Sequence, residues 1–247
     1  MKKTLFLLVL CLLPSFAFAD WKMVEPGIDY RREGEPTVHF FRIDPARYRL
    51  DLLLASDYKV AALTMENYRT KSGALFVING GFFDESFRSL GLLHRNGQTI
   101  NPVREVSWGI FLIDAKGPRI IQRKDWLPSR AVASAVLREA AWKSDGVKTA
   151  IQVGPRLVVD GKVQTFKEAE PSRRSAIGIT PEGLIEIVLS ENLLTLKEWA
   201  ETLQKDCPNA LNLDGGGSSQ LSAAFSGLSL KIDGMTTVPN AVAVFKK

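Results

Sequence analysis

The sequence predicts an α+β fold, a single domain with a large mixed or antiparallel sheet and a few flanking helices. Three features predict it: short apolar runs of four to seven residues recur along the chain, Asp-Gly and Asn-Gly pairs separate them, and helical patterning is confined to two stretches. No internal repeat, low-complexity linker or shift in composition marks a domain boundary.

In chain order, residues 37–43 (TVHFFRI) and 49–54 (RLDLLL) read as strands around an Asp44-Pro45 turn, and 74–78 (ALFVI) as a short, wholly apolar strand. Strands are expected again over 107–113, 149–153, 156–159, 175–179, 184–189 and 241–245. Turn signals lie at Asn96-Gly97, Asp114 to Gly117, Asp160-Gly161, Pro181 to Gly183 and Asp233-Gly234. Residues 133–143 have helical composition. Over 195–205 the helix signal is fuller: Thr195 can cap, Glu198 completes a capping box, and Leu196, Trp199, Ala200 and Leu203 share a face. The segment 84–106 carries few strong signals and is expected to be a long loop, a type of segment that often carries function.

The first 19 residues place Lys2 and Lys3 ahead of an apolar core from Leu5 to Leu13, a Pro14 break and a small-x-small ending at Ala17 to Ala19. They are expected to be a bacterial signal peptide cleaved after Ala19, leaving residues 20–247 as one periplasmic or secreted domain. A membrane anchor needs about 20 apolar residues, and neither this core nor any later run reaches that. Cleavage removes Lys2, Lys3 and Cys11. The remaining 228 residues carry 30 basic against 27 acidic side chains, a net charge of +3. So mild a balance, without a block of like charge or a basic stripe interleaved with aromatics, argues against a nucleic-acid partner. Cys207 is then the single cysteine, so no intrachain disulfide supports the fold and the apolar core must do so alone.

The stretch ALNLDGGGSSQL at 210–221 departs from this pattern of strands and turns. Asp214-Gly215 alone would be a hairpin turn. Three consecutive glycines exceed what such a turn needs, and each costs about 0.5–1 kcal/mol relative to alanine in regular structure. So permissive a backbone suits a place where main chain approaches a ligand or successive N–H groups converge on an anion, with Ser218 and Ser219 adding hydroxyls. The spacing fits neither a P-loop, a dinucleotide fingerprint nor a nucleophile elbow. VINGGFFD at 77–84 has the same arrangement: a strand ending in Asn79, then Gly80, Gly81 and the rings of Phe82 and Phe83. Two such strand ends suggest two loops lining one cleft with Phe82 or Phe83 as a wall; two unrelated turns with core aromatics are the alternative.

INGGFF at 78–83, QVGPRLV at 152–158, RSAIG at 174–178, LTLKEWA at 194–200 and NLDGGGSS at 212–219 together resemble the phosphodiester glycosidase family, in order and in spacing, across residues 37–246. Its best-known member uncovers mannose 6-phosphate tags by removing N-acetylglucosamine. The resemblance implies an exported hydrolase that cleaves the glycosidic bond of a sugar-1-phosphodiester, releasing free sugar and a phosphomonoester, on a phosphorylated sugar or glycan of an envelope or extracellular polysaccharide. A non-catalytic phosphoglycan-binding module that retains the glycine-lined cleft is the competing reading.

A phosphodiester needs a cation that stays charged and bonds two oxygens, which favours arginine. Arg174 is the first candidate and Arg156 the second, with Arg173 adjacent. Loss of phosphate from C1 leaves an oxocarbenium-like sugar that a carboxylate can stabilise, attack or spare by activating water. Asp214 is placed in that role, against a purely structural one as cap of the glycine loop. Asn79, Gln152, Ser218 and Ser219 are candidates for orienting sugar hydroxyls or phosphate oxygens, beside Gly80, Gly81, Gly215, Gly216, Gly217 and Phe83. Glu191 follows the 184–189 strand where relatives more often carry Asp-Gly, and is a second, weaker catalytic carboxylate. His39, alternating with apolar positions, reads as a packed histidine. His94 can reach the cleft from the 84–106 loop as acid, base or phosphate donor. The sequence requires no cofactor; a divalent cation held by Asp214 and phosphate oxygens is compatible with it.

Overall fold

The computed structural model describes residues 20–126, 146–167 and 170–247. The expected signal peptide and the 133–143 helix lie outside the described residues. Within them the chain forms three antiparallel sheets with short helices on their outer faces, a sheet-rich architecture rather than the α+β fold expected. The eight-stranded sheet runs β1 (Lys22–Glu25), β2 (Ile28–Glu33), β3 (Val38–Ile43), β14 (Ile185–Leu194), β13 (Ser172–Ile179), β15 (Asn209–Asn212), β11 (Arg156–Val159), β12 (Lys162–Val163). A five-stranded sheet runs β17 (Leu228–Ile232), β16 (Leu221–Phe225), β5 (Phe76–Asn79), β18 (Asn240–Lys246), β4 (Tyr48–Leu54). The other five-stranded sheet runs β7 (Gln98–Asn101), β6 (Leu93–Arg95), β10 (Thr149–Val153), β8 (Gly109–Asp114), β9 (Gly117–Gln122).

The period-2 alternation of each strand sorts its side chains between cores. On β13 and β15, Ile177 and Leu211 face the main core while Ala176 and Ala210 face the opposite side. The main core gathers Phe41, Ile187 and Leu189 from the large sheet, Phe76, Ile78, Leu221 and Val242 from the second sheet, and Leu93, Phe111 and Ile151 from the third. Phe41 and Phe76 meet at its centre with ring centroids 4.8 Å apart. Helix α3 (Leu196–Gln204) seals the outer face of the large sheet with Trp199, Ala200 and Leu203, and buried Cys207 packs there as a small apolar group. Its expected capping box is present: Thr195 Oγ1 accepts the Glu198 N–H and the Glu198 carboxylate accepts the Thr195 N–H. Helix α1 (Met65–Ser72) covers the outer face of the second sheet with Met65 and Tyr68, and α2 (Arg123–Trp126) covers the third with Trp126.

Asn96-Gly97 and Asp160-Gly161 turn the β6–β7 and β11–β12 hairpins with positive φ at both residues, the conformation that selects those dipeptides. The first of these hairpins breaks up the 84–106 segment, which is therefore not one long loop. Strands β1, β2, β9, β16 and β17 were not expected; β2, for example, carries Asp29, Arg31, Arg32 and Glu33 and has no simple apolar alternation.

On the helix-covered face of the large sheet, the Arg31 and Arg42 guanidinium carbons lie 4.5 and 4.0 Å from the centre of the Trp21 ring. Both arginines bond Asp206, and Arg42 also pairs with fully buried Glu186 at 2.8 Å. Burial pushes the Glu186 carboxyl up to about 7, against the pull of Arg42. Between its ordinary value of 4.5 and about 7 the folded protein thus retains a proton that the unfolded chain has lost, so this group's contribution to stability falls as pH rises through that window. Glu186→Gln abolishes the titration. Melting temperatures measured from pH 5 to pH 8 should decline less steeply for the variant than for the parent, and parallel curves would show that Glu186 is not titrating there.

Candidate active site

Two strand ends, one from each of two sheets, meet at residues 79 and 214. Asn79 closes β5 and is fully buried. Its Nδ2 donates to the Asp214 carbonyl at 2.7 Å, and its Oδ1 accepts from Ser175 Oγ at 2.8 Å and from the Gln220 N–H at 3.2 Å. The Asp214 N–H in turn donates to the Gly80 carbonyl. One amide thus ties β5, β13 and both ends of the glycine loop together. The backbone then passes against Asn240, whose Oδ1 accepts the Gly81 N–H at 2.7 Å; a Cβ at Gly80 would overlap that same oxygen, and one at Gly81 would crowd Val153.

From this anchor Asp214-Gly215-Gly216-Gly217-Ser218 forms a tight turn, with Gly216 at φ +61 and its 3-10 segment ending at Ser218. Asp214 is half-buried. Burial raises its carboxyl above the ordinary aspartate value, while the Ser218 hydroxyl and the Gly215 N–H, 2.9 Å from Oδ1, draw it back. Arg174 lies against the loop on β13, with Nη1 3.9 Å from where a Gly215 Cβ would stand. Its Nε donates to the Leu194 carbonyl at 2.9 Å and its Nη2 reaches the Glu170 carbonyl at 3.4 Å. It is 9% exposed, with no carboxylate partner among the described residues, and burial lowers the proton affinity of the guanidinium from its ordinary value. A nearly buried cation held by neutral carbonyls, with one nitrogen toward a glycine loop, suits an anionic oxygen from a ligand. Farther along the same loop, fully buried Ser219 Oγ has no protein partner among the described residues.

The other sequence candidates separate. Arg156 packs its aliphatic stem on Gly109, next to Leu211, and its guanidinium has no protein partner among the described residues. Gln152 is consumed by the backbone: Oε1 accepts the N–H groups of Leu92 and Arg104, and Nε2 donates to the Arg104 carbonyl, so it clamps the 91–104 segment. Phe83 turns away to stack on Phe87 at 5.7 Å, whereas Phe82 meets Trp108 at 4.8 Å. Trp108 lies against Gly154, whose carbonyl accepts from Asn212 two residues before Asp214, so the half-buried Phe82–Trp108 pair is the aromatic surface beside the loop. His94 is buried in the third sheet, 3.2 Å from Thr99 Oγ1 and 3.3 Å from the Val147 carbonyl, with its ring edge to face with Trp126. These contacts place it in that sheet's packing and not at the glycine loop. Glu191 is partly exposed on β14 and bonds His39.

Ser175, Gln220, Asn240 and Trp108 were missed by reading the sequence, because each is defined by a partner far along the chain. Among the described residues no three His, Cys, Asp or Glu side chains cluster closely enough to hold a metal ion, and no helix is long and apolar enough to cross a membrane.

A family model for phosphodiester glycosidases matches residues 72–245. The fold resembles the catalytic domain of zebrafish N-acetylglucosamine-1-phosphodiester alpha-N-acetylglucosaminidase, auto-inhibited by its pro-peptide, with a TM-score of 0.66 and 16% identity over 93% of this chain and 82% of that one. It also resembles a hypothetical protein from Synechocystis, TM-score 0.60 and 19% identity over 90% of this chain, which spans 62% of that protein. A Burkholderia pseudomallei protein designated as exported gives a TM-score of 0.56 at 14% identity, over 88% of this chain and 74% of that one. No curated protein sequence matches the chain.

The Asn79 clamp makes a direct prediction. Asn79→Ala leaves Ser175 Oγ, the Gln220 N–H and the Asp214 carbonyl without a partner in a buried site, at about 1–3 kcal/mol for each group left unsatisfied. Denaturant unfolding should show a loss of roughly 3 kcal/mol or more. A loss below about 1 kcal/mol would mean that the amide is not the tie between the strand ends.

Proposed function

The chain belongs to the phosphodiester glycosidase family, and from that premise we propose that it is an exported hydrolase that cleaves the C1–O bond of a sugar-1-phosphodiester to give free sugar and a phosphomonoester. The observation that carries the reading is the convergence of Arg174 and Asp214 on one glycine loop: a cation without a carboxylate partner among the described residues beside a carboxylate held half out of water. Arg174 engages the phosphate oxygens, and the glycine loop lets that anion approach main-chain N–H groups without a Cβ in the way. Asp214 faces the sugar carbon, where positive charge develops as phosphate departs, and a carboxylate is most effective there when partly desolvated. Phosphate leaves as an anion, so the reaction makes little demand for a proton on the departing oxygen. The Phe82–Trp108 pair supplies an apolar surface for a sugar ring, and Arg156 a second cation near the same end of β15.

The substrate is then a phosphorylated glycan or sugar of the envelope or the extracellular space. Export is supported by the leader-like first 19 residues and by the exported Burkholderia neighbour. N-acetylglucosamine is one sugar to test, given the substrate named for the zebrafish enzyme.

Incubation with the methyl phosphodiesters of glucose-1-phosphate and N-acetylglucosamine-1-phosphate in oxygen-18 water should place the label in the sugar. Label in the phosphate would reject C1–O cleavage, and saturable binding without product would assign the chain to the binding-module reading. Asp214→Asn should lower kcat by at least 10²-fold with the fold intact, and the acid limb of the parent's pH profile should lie above the ordinary aspartate range. Arg174→Ala should raise KM by roughly 10–100-fold, with Arg174→Lys recovering little because a lysine cannot hold the Leu194 carbonyl and a phosphate together. Unchanged kinetics in either alanine or asparagine variant would remove that residue from the reaction.

A further inference from the structure

His39 is nearly buried, yet it is not merely packed. Its Nδ1 lies 2.9 Å from the Tyr30 hydroxyl and its Nε2 lies 3.0 Å from Glu191 Oε1, while the Tyr30 ring stacks over the imidazole with centroids 6.1 Å apart. Burial pushes the imidazole down and the phenol up from their ordinary values, so both keep their neutral forms near neutral pH. A neutral imidazole has one donor and one acceptor. The Glu191 carboxylate can only accept, so Nε2 carries the proton and donates to it, and Nδ1 accepts from the Tyr30 hydroxyl. The groups facing the imidazole are Tyr30 and Arg32 from β2 and Glu191 from β14.

The strand register places this chain of bonds at the same end of the sheet as the glycine loop. His39 is paired with Leu189 and Leu189 with Ser175, the residue that holds Asn79. Arg174 is paired with Ser190, and Leu213 bonds the Ser175 carbonyl, so Asp214 and Glu191 leave the same end of the sheet two strands apart. Two strand spacings are roughly 10 Å. In glycosidases that invert C1, the carboxylate that activates the water stands on the far side of the sugar from the leaving group. The Glu191 side chain is 40% exposed, and its second oxygen has no protein partner among the described residues.

We propose that Glu191 is the base that deprotonates the attacking water, and that His39 and Tyr30 are positioning residues that hold it in place. This rests on the glycosidase reading above. In the step, the water oxygen bonds C1 as the C1–O(phosphate) bond breaks and its electron pair leaves with the phosphomonoester. The water proton passes to the free oxygen of Glu191 and then to solvent. Tyr30 and His39 lie before residue 72, where the family match begins, so this device belongs to the N-terminal strands of this chain.

The test uses the full mature chain and the same methyl phosphodiesters. Glu191→Gln should lower kcat by about 10²-fold or more with KM within threefold. Tyr30→Phe, which keeps the ring against Phe41, should lower kcat several-fold with KM within threefold, since the imidazole that aims the carboxylate loses its own donor. His39→Gln, which retains an N–H, should keep more activity than His39→Phe, and adding Tyr30→Phe to Glu191→Gln should cost nothing further. In the free parent, imidazole nitrogen shifts should place the proton on Nε2. Glu191→Gln within twofold of the parent, an unchanged kcat in Tyr30→Phe, or a proton on Nδ1 would overturn the inference. If Asp214→Asn is inactive while these variants match the parent, the inference alone fails; if the parent turns over neither diester, both readings fail.

Discussion

The site depends on one buried side-chain amide. Asn79 stands where the second sheet ends against the large one, and its carboxamide donates from nitrogen to one strand end while its separate oxygen accepts twice from others. Without it, two sheets joined mainly by non-directional apolar packing could slide by a fraction of a residue at no great cost. With it, the Asp214 carbonyl, Ser175 and the Gln220 N–H are fixed to a common point. The glycines on both sides follow from the same constraint, since Gly80 must clear Asn240 and Gly216 must take a positive φ to bring Ser218 back to Asp214.

The large sheet treats charge in opposite ways at two places. On the helix side, Arg31 and Arg42 share Asp206 and stack on Trp21, and Arg42 also pairs with Glu186, so opposite charges accompany one another out of water. At the glycine loop, Arg174 has carbonyls for company and Asp214 has a hydroxyl and one N–H. Leaving charges so incompletely compensated costs stability, and a scaffold gains nothing by it. A ligand that brings an anion to Arg174 and a developing cation to Asp214 would satisfy both at once.

Much of the framework was legible in local patterning. The Asn96-Gly97 and Asp160-Gly161 turns, the Thr195–Glu198 capping box and the apolar strands around 74–78 and 149–153 depend on neighbours a few residues away. The N-terminal strands were not legible, because β2 mixes core and charged positions and depends on β3 for its edge. The glycine loops were recognisable as exceptional, since consecutive glycines have no local use. The partners of His94 and Gln152 were not legible for a common reason: a polar side chain in a sequence does not reveal whether backbone groups far along the chain will claim it, as Val147 and Arg104 do here.

By itself, then, the sequence determined the alternating strands, their turns, the family motifs and the two glycine-bearing strand ends, all of which are encoded over a few consecutive residues. Only the tertiary structure decided which polar groups remain available at the site. Asn79 meets Ser175 across 96 positions and His39 meets Glu191 across 152, and hydrogen bonds over such separations exist only after the sheets have packed. That packing turned His39 from a core residue into the link between Tyr30 and Glu191, and left Arg174 facing the glycine loop.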